Sequence, residues 1–270
     1  MKTTQWSAAR SPKGVPPYSV ANVEIHKSPL DDRNYQYIRL EQNHLHVLLV
    51  QDPTTDKAAA SMDVKVGHMS DPVRPSSLNS SAFLLMHIVP LKADMPGLAH
   101  FLEHLLFCGS QRFPKENEYK EYIKLRGGRC NAYTSAQNTN YHFAVTADSF
   151  SGALERFSSV FERPLFSPSS TAREINAVNS ENSKNQQSDS RRLYQLMKSL
   201  SDRNHPWNRF GCGSKETLSR GGDGWHDSEE DGGPAGRETR RRLIEWWETH
   251  YCTNRMRLAL VGRGKACPAH

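Results

Sequence analysis

The sequence predicts an α+β fold, and three observations lead to this prediction. Several short segments place apolar residues at every second position and are followed by polar turns, which is typical of β-hairpins. Other segments repeat apolar residues at every third or fourth position, which is typical of amphipathic helices. The two kinds of segment follow each other without a regular β-α-β order, and this favours α+β over α/β.

Strands are predicted in four segments: residues 35–53, 58–72, 129–148 and 255–262. The first holds two strands around a polar turn at residues 41–43, so that a hairpin is expected. In the third, Tyr141, Phe143 and Val145 occupy every second position and share one face. These segments therefore supply the strands of the predicted sheet.

Helices are predicted in five segments: residues 96–108, 114–128, 150–166, about 171–200 and 241–251. Asp94 and Pro96 are typical helix-start residues before the first of them, and Gly109 follows its end. A polar patch interrupts the fourth. The Gly- and Asp-rich residues 219–236 predict a flexible loop before the last helix.

The composition restricts the class of protein. With 36% hydrophobic residues and five tryptophans, the 270-residue chain can bury the core of one large or two small domains. Its 35 basic residues give a formal charge of +6, but they are interleaved with 29 acidic residues and no nucleic-acid-binding motif accompanies them. We therefore expect no nucleic-acid partner. The apolar run within residues 73–93 is too short and too polar for a membrane span.

The cysteines indicate a reducing compartment. They are odd in number, widely spaced and without a C-x-x-C pair, which favours free thiols and a cytoplasmic location. The five are Cys108, Cys130, Cys212, Cys252 and Cys267. A mitochondrial location is the alternative, because residues 1–23 contain basic residues and no acid. Their prolines would break the amphipathic helix of a presequence, so we expect a disordered leader over residues 1–18.

The first predicted helix carries the chemistry. In GLAHFLEHLLFCGS, residues 97–110, the apolar residues Leu98, Phe101, Leu102 and Leu105 form one stripe, and a second face carries His100, Glu103 and His104. Burying a carboxylate beside two imidazoles is costly unless a cation compensates. Histidines at positions i and i+4 can reach one Zn²⁺ from the same side of a helix, with the intervening glutamate free to act as a base. A chance match, or core histidines hydrogen-bonded to Glu103, are the alternatives that the pattern leaves open.

Three blocks in order carry a family resemblance: HFLEHLLFCGSQRFPKENEY, NAYTSAQNTNYHFAV and REINAVNSENSKN. Together they resemble the N-terminal catalytic domain of the insulin-degrading enzyme (insulysin) family, pitrilysin-type inverzincin metallopeptidases with the motif H-x-x-E-H. The resemblance covers residues 19–263 as one zinc metallopeptidase domain, interrupted at 73–93 and 219–236, and leaves 264–270 as a tail. It implies a mixed, mainly antiparallel sheet flanked by helices, similar to those of insulysin and mitochondrial processing peptidase.

The resemblance also implies the site. It adds Glu181 to His100 and His104 as the third ligand of one Zn²⁺ per domain, with Glu103 as the base that activates water. Glu174 matches a second family glutamate and, seven residues before Glu181 on the same helical face, is expected to orient a ligand; an ordinary exposed helix acid is the alternative. Asn131, Ala132 and Tyr133 match the sheet edge on which family members bind peptide substrates; for Tyr133, packing into the core is the alternative. Relatives act on small peptides, including hormones and, in fungi, pheromone precursors.

The sequence departs from the family in three places. Residues 73–93 interrupt the match just before the motif, and one hypothesis is that they are translated from a retained intron. Arg191 stands where relatives have a large aromatic residue. The resemblance covers one of four related family domains, so sister domains are expected as partners. A fragment that binds peptides without cutting them and an organellar processing peptidase are the alternative functions.

Overall fold

The computed structural model describes residues 4–9, 11, 15–72, 94–219 and 224–264. The predicted insertion at residues 73–93 lies outside this part of the chain, as do residues 220–223 of the predicted loop and 265–270 of the predicted tail. The strands are β1 Trp6–Ala8, β2 Tyr18–Ala21, β3 Asn34–Leu40, β4 His46–Gln51, β5 Lys57–Val64, β6 Arg129–Thr134, β7 Thr139–Thr146 and β8 Met256–Gly262. The α-helices are α1 Leu98–Leu106, α2 Glu118–Leu125, α3 Phe150–Glu162, α4 Pro168–Asn185, α5 Asp189–Ser199, α6 Lys215–Leu218 and α7 Gly233–His250.

These strands form one sheet in the order β1-β2-β3-β4-β8-β5-β7-β6. The β4–β8 pair is parallel and the other pairs are antiparallel. This confirms the predicted α+β class with a mixed, mainly antiparallel sheet. Strand β6 lies at the edge of the sheet and pairs with β7 alone among the described strands.

The core lies between one face of the sheet and the helices. Met62, Val64, Tyr141 and Phe143 are buried on that face, and the predicted period of two places Tyr141 and Phe143 there. They pack against buried apolar side chains from the helices: Leu98, Phe101, Leu102 and Leu105 of α1, Phe157 of α3, Ile175 and Val178 of α4, and Leu243 and Trp246 of α7. Fully burying one such side chain contributes about 1.5–3 kcal/mol. Helix α1 is therefore fixed in the centre of the molecule.

Two expectations differ from the structure. Residues 1–18 are expected to be a disordered leader, yet Trp6–Ala8 form β1 and pair with β2. The prediction is wrong for these residues because the Trp6 ring packs against Tyr37 and His46, with centroids 5.6 and 5.2 Å away. The loop expected over residues 219–236 also ends early, since α7 begins at Gly233.

The start of α1 is set by a residue distant in sequence. The Asp71 carboxylate accepts hydrogen bonds from the backbone N–H groups of Gly97 and Ala99, at 2.7 and 2.8 Å. Burial raises the pKa of the Asp71 carboxyl to about 7, whereas the two N–H groups and the helix dipole favour its charged form. It takes the capping role that the sequence pattern assigns to Asp94. Gly97 has φ +92°, and a side chain there would collide with the backbone of Gly213, so glycine is required for this close approach.

Candidate metal site and cleft

Two helices bring the predicted ligands together. His100 and His104 lie one turn apart on α1, and α4 crosses beside them and supplies Glu181. The distance from Glu181 Oε2 to Nε2 is 3.6 Å for His100 and 3.7 Å for His104. The imidazole rings are nearly perpendicular, with centroids 4.8 Å apart. The structure thus places three potential ligand atoms around one point.

The other nitrogen of each imidazole is hydrogen-bonded. His100 Nδ1 lies 2.6 Å from the backbone oxygen of Cys212, and His104 Nδ1 lies 3.0 Å from Glu174 Oε2. Because both partners are acceptors, each Nδ1 carries the proton that it donates. In the neutral ring Nε2 then presents its lone pair towards Glu181, which is the tautomer that a metal requires.

The donor set fits a zinc ion. Zn–N and Zn–O bonds of about 2.0–2.2 Å at tetrahedral angles separate neighbouring ligand atoms by about 3.3–3.5 Å. The separations of 3.6 and 3.7 Å are within a few tenths of an ångström of that range. Two imidazoles and one carboxylate also match the ligand set of catalytic zinc sites, which leave a position open for water.

The charges of the site favour a cation. Burial disfavours the charged form of His104, but the hydrogen bond to Glu174 and the nearby carboxylate of Glu181 outweigh this effect and raise its pKa to about 9. The close approach of His104 in turn lowers the pKa of Glu181, as do the charges of His100 and Arg191. The two carboxylates therefore require positive charge between them, which either a proton on His104 or a divalent metal ion can supply.

Glu103 lies between the two histidines in sequence and faces β6. Its side chain is 9% exposed, and Thr134 Oγ1 donates a hydrogen bond to its Oε2 at 2.7 Å. Glu103 also lines the same cleft as the three potential ligands. Thr134 was not singled out from the sequence, because nothing in its local pattern reveals a partner 31 residues away.

The site opens into a cleft of about 1700 Å³. The cleft is lined by residues of the edge strand β6 and the turn after it, and by residues of α5 and the segment 205–212. Asn131, Ala132 and Tyr133 of β6 line this cleft as a group. The Tyr133 side chain is 51% exposed, so it does not pack into the core.

A buried polar cluster supports the far end of the cleft. His68 Nδ1 contacts the backbone oxygen of Ser135 at 3.0 Å, and Lys198 Nζ donates to His68 Nε2 at 3.0 Å. Burial, together with the charge of Lys198, lowers the pKa of His68 to about 4, so that the ring is a neutral acceptor. A side chain at Gly211 would come within 2.6 Å of the His68 ring, which explains the glycine there. Sequence reasoning missed this cluster because its members lie far apart along the chain.

Fold and site together define a class. An inverzincin metallopeptidase domain has a helix with the motif H-x-x-E-H, a glutamate from a second helix and a mixed sheet beside them. The structure shows these features. Residues 92–208 match the family model described as Insulinase (Peptidase family M16). By this match, residues 92–208, which include α1 and α4, belong to the insulinase family of peptidases. None of the helices in the described part of the chain combines the length and hydropathy that a membrane crossing requires.

Known relatives agree with this assignment. The A-factor-processing enzyme of Saccharomyces cerevisiae is 44% identical over 246 residues, which cover 91% of this chain and 21% of the yeast protein. The insulin-degrading enzyme of Homo sapiens is 38% identical over 239 residues, 88% of this chain and 20% of the human protein. The crystal structure of pitrilysin matches with a TM-score of 0.74 and 28% identity, over 93% of this chain and 23% of pitrilysin. The chain thus spans about a fifth of the length of the curated relatives it matches.

Proposed function

We propose that this chain binds one zinc ion and hydrolyses bonds within small peptides. The observation that carries the proposal is the convergence of one ligand atom each from His100, His104 and Glu181, all within 4.8 Å of one another. Glu181 Oε2 lies 3.6 and 3.7 Å from the two Nε2 atoms, and the buried carboxylate of Glu103 is beside them. These three atoms are the proposed zinc ligands. When bound, zinc lowers the pKa of a water molecule towards neutrality and polarises the carbonyl of the peptide bond.

Glu103 is the proposed general base. It follows His100 by three residues and precedes His104 by one, so its carboxylate lies beside the ligands without being one of them. The hydrogen bond from Thr134 holds one carboxylate oxygen and leaves the other available for a proton. Glu103 would take a proton from water and later deliver it to the leaving amine.

Glu174 is the proposed orienting residue. It lies seven residues before Glu181 on α4, which is about two helical turns, and both carboxylates therefore face α1. Its hydrogen bond to Nδ1 fixes the ring orientation of His104 and increases the electron density at Nε2. The residue thus acts on the metal through the imidazole.

We propose β6 as the peptide-binding edge. The Ser135 N–H donates to the Asn138 oxygen at 2.8 Å where the β6–β7 hairpin closes. Along an antiparallel pair of strands, every second residue is hydrogen-bonded to the partner strand. Tyr133 and Asn131 therefore continue the hydrogen bonds to β7, whereas the N–H and C=O of Ala132 face the open edge. A substrate backbone that pairs there lies in the cleft beside Glu103. Backbone pairing suits substrates of varied sequence, such as the hormone- or pheromone-like peptides that the relatives' names suggest.

Helix α5 is the proposed contact with further domains of the kind found in the longer relatives. The helix and the residue that follows it expose four apolar side chains: Leu193, Leu196, Met197 and Leu200. A contiguous apolar patch of this kind is typical of an interface. Sister domains that cover it would also enclose the cleft and exclude water from it.

A reducing compartment, with the cytoplasm as the first choice and mitochondria as the alternative, is the proposed location. Support comes from the cysteines in the described part of the chain, Cys108, Cys130, Cys212 and Cys252, which are free thiols. One relative, from Arabidopsis thaliana, is named as peroxisomal. Microscopy of the chain fused to a fluorescent protein, with and without residues 1–30, tests the compartment.

The function is tested by measuring zinc and turnover together. The zinc-loaded chain should contain one zinc per molecule and should cleave a quenched fluorogenic peptide until a chelator is added. Glu103→Gln should retain zinc and lose at least about a hundredfold in turnover. Glu181→Gln should lose zinc, whereas Glu162→Gln, a matched change of an exposed glutamate at the end of α3, should change neither.

Two results would contradict the proposal. Turnover that survives the chelator or the Glu103→Gln change would show that the assigned base and metal are not used. Stoichiometric zinc and peptide binding without chelator-sensitive turnover would instead favour a module that binds peptides without cleaving them.

A further inference from the structure

One guanidinium in the cleft has no partner in the described part of the chain. Arg191 lies in the first turn of α5, where its exposed side chain lines the cleft together with Glu181 and Tyr194. Neither a hydrogen bond nor an ion pair joins it to another described residue. The adjacent Arg192 differs, because its Nη1 lies 3.2 Å from Asp189 Oδ1.

The lysine among the described residues that line the cleft already has a hydrogen-bond partner. Lys198 is buried, donates to His68 Nε2 and lies near the rings of Tyr194 and Trp207, with its Nζ 5.7 and 5.4 Å from their centroids. It belongs to the support of the cleft wall and is not free to meet a ligand. Arg191 is therefore the cation that the described lining leaves available.

Arg191 also lies close to the proposed metal ligands. It follows Glu181 by ten residues, across the short turn between α4 and α5, and both side chains line the same cleft. Helix stability does not account for it, since a cation in the first turn of a helix opposes the helix dipole. An unpaired cation at this position is instead suited to a negatively charged group that enters the cleft.

We propose that Arg191 binds a carboxylate of the substrate close to the bond that is cut, so that the cleft prefers acidic peptides. The inference rests on the proposed peptide hydrolysis. A peptide paired with β6 presents alternate side chains to the cleft, which α5 also lines. The planar guanidinium matches a carboxylate with two parallel hydrogen bonds. That carboxylate belongs either to an Asp or Glu side chain or to the C-terminus of a short peptide.

Binding and turnover are measured with matched peptides. Each pair differs only by Glu or Gln at one position, scanned through the residues on both sides of the cleaved bond, and one further pair differs by a free or amidated C-terminus. Binding is measured by fluorescence anisotropy on the zinc-loaded Glu103→Gln chain, and turnover on the unchanged chain. Arg191→Gln and Arg191→Glu are the test variants. Arg192→Gln is the control, since it removes the same charge from the same helical turn.

The unchanged cleft should favour one Glu peptide over its Gln twin by about five- to tenfold, with the preference decreasing as salt is added. Arg191→Gln should abolish this preference, Arg191→Glu should reverse it in favour of the Gln twin, and Arg192→Gln should retain it. A preference for the free over the amidated C-terminus, confined to that pair, would assign the carboxylate to the peptide end.

Equal binding of all pairs by the unchanged chain, or a preference that persists in Arg191→Gln, would overturn the inference while leaving hydrolysis intact. If the chain binds the Glu peptide more tightly than its Gln twin but cleaves neither, the result would contradict the proposed hydrolysis and support the role of Arg191. Failure to bind any of the peptides would overturn both.

Discussion

Glu174 accepts a hydrogen bond from Nδ1 of His104 at 3.0 Å, and this contact joins α4 to α1 directly beside the proposed metal ligands. The apolar side of the same helix is held by Ile175 and Val178, which are fully buried against the core. The position of Glu181 relative to the two histidines is thus fixed by packing and by one polar contact. The packing and the polar contact can be tested separately.

Replacing Glu174 by Gln removes the negative charge behind His104 and keeps the volume of the side chain. Zinc affinity should decrease by about tenfold, because a neutral amide increases the electron density at Nε2 less than a carboxylate does. Competition with a fluorescent chelator measures the dissociation constant. Glu162→Gln should leave it unchanged, and an unaltered affinity in Glu174→Gln would show that the contact is not needed for zinc.

Replacing Ala132 by Pro tests the open edge of β6. The change removes an N–H that is expected to face outward, while the neighbouring bonds to β7 remain. Peptide affinity should fall by about threefold to tenfold, since one backbone hydrogen bond contributes about 0.5–1.5 kcal/mol, and zinc content should not change. Ala132→Ser, which keeps the N–H, is the control. Peptide binding that is as strong in Ala132→Pro would argue against strand addition at this edge.

Deleting residues 74–93 should preserve the fold and the zinc site. The Met95 N–H donates to the Pro72 oxygen at 3.1 Å, so both ends of the intervening segment already meet. After deletion, Pro72, Val73, Asp94 and Met95 form the four residues of a β-turn closed by that hydrogen bond. The free energy of unfolding should rise by up to about 2 kcal/mol because a shorter connection loses less entropy on closure.

Denaturant unfolding and zinc titration check the deletion. As a control, Asp71→Ala in the shortened chain should be destabilising by about 1–2 kcal/mol, because α1 loses its buried cap. Loss of zinc binding on deletion alone would show that residues 74–93 contribute to the site. The hypothesis of a retained intron makes a separate prediction, namely a spliced message without this segment; a message that encodes Val73 to Ala93 would contradict it.

Replacing His68 by Gln should reduce sensitivity to acid. Burial lowers the pKa of His68 to about 4 in the fold, below the ordinary value of 6.5. The stability that this shift contributes is present above pH 6.5 and is lost as the pH falls towards 4. Between pH 7 and pH 5 the unchanged chain should lose about 2 kcal/mol through this residue, and the variant should not.

Equilibrium unfolding at a series of pH values measures this difference. Gln can still donate to Ser135 and accept from Lys198, so that the contacts of the cluster are retained. His226→Gln, at a residue outside the cluster, is the control. Parallel stability curves for the unchanged chain and His68→Gln would contradict the prediction.

The sequence by itself determined the elements whose signals are local. The i, i+4 spacing of His100 and His104 places both on one face of α1, and alternation along β7 places Tyr141, Phe143 and Val145 in the core. These patterns fix the α+β class and the candidate ligands on α1. The matched family blocks added Glu181 and Glu174, which no local pattern distinguishes from other helical glutamates.

Only the tertiary structure decided which distant groups meet. Asp71 caps α1 where Asp94 is expected, Thr134 holds Glu103, and His68 meets Lys198. Arg191 is left without a described partner in the cleft by the same packing. The physical reason is that hydrogen bonds and charge pairs between separate elements depend on how the elements pack, whereas periodicity encodes only the geometry within one element.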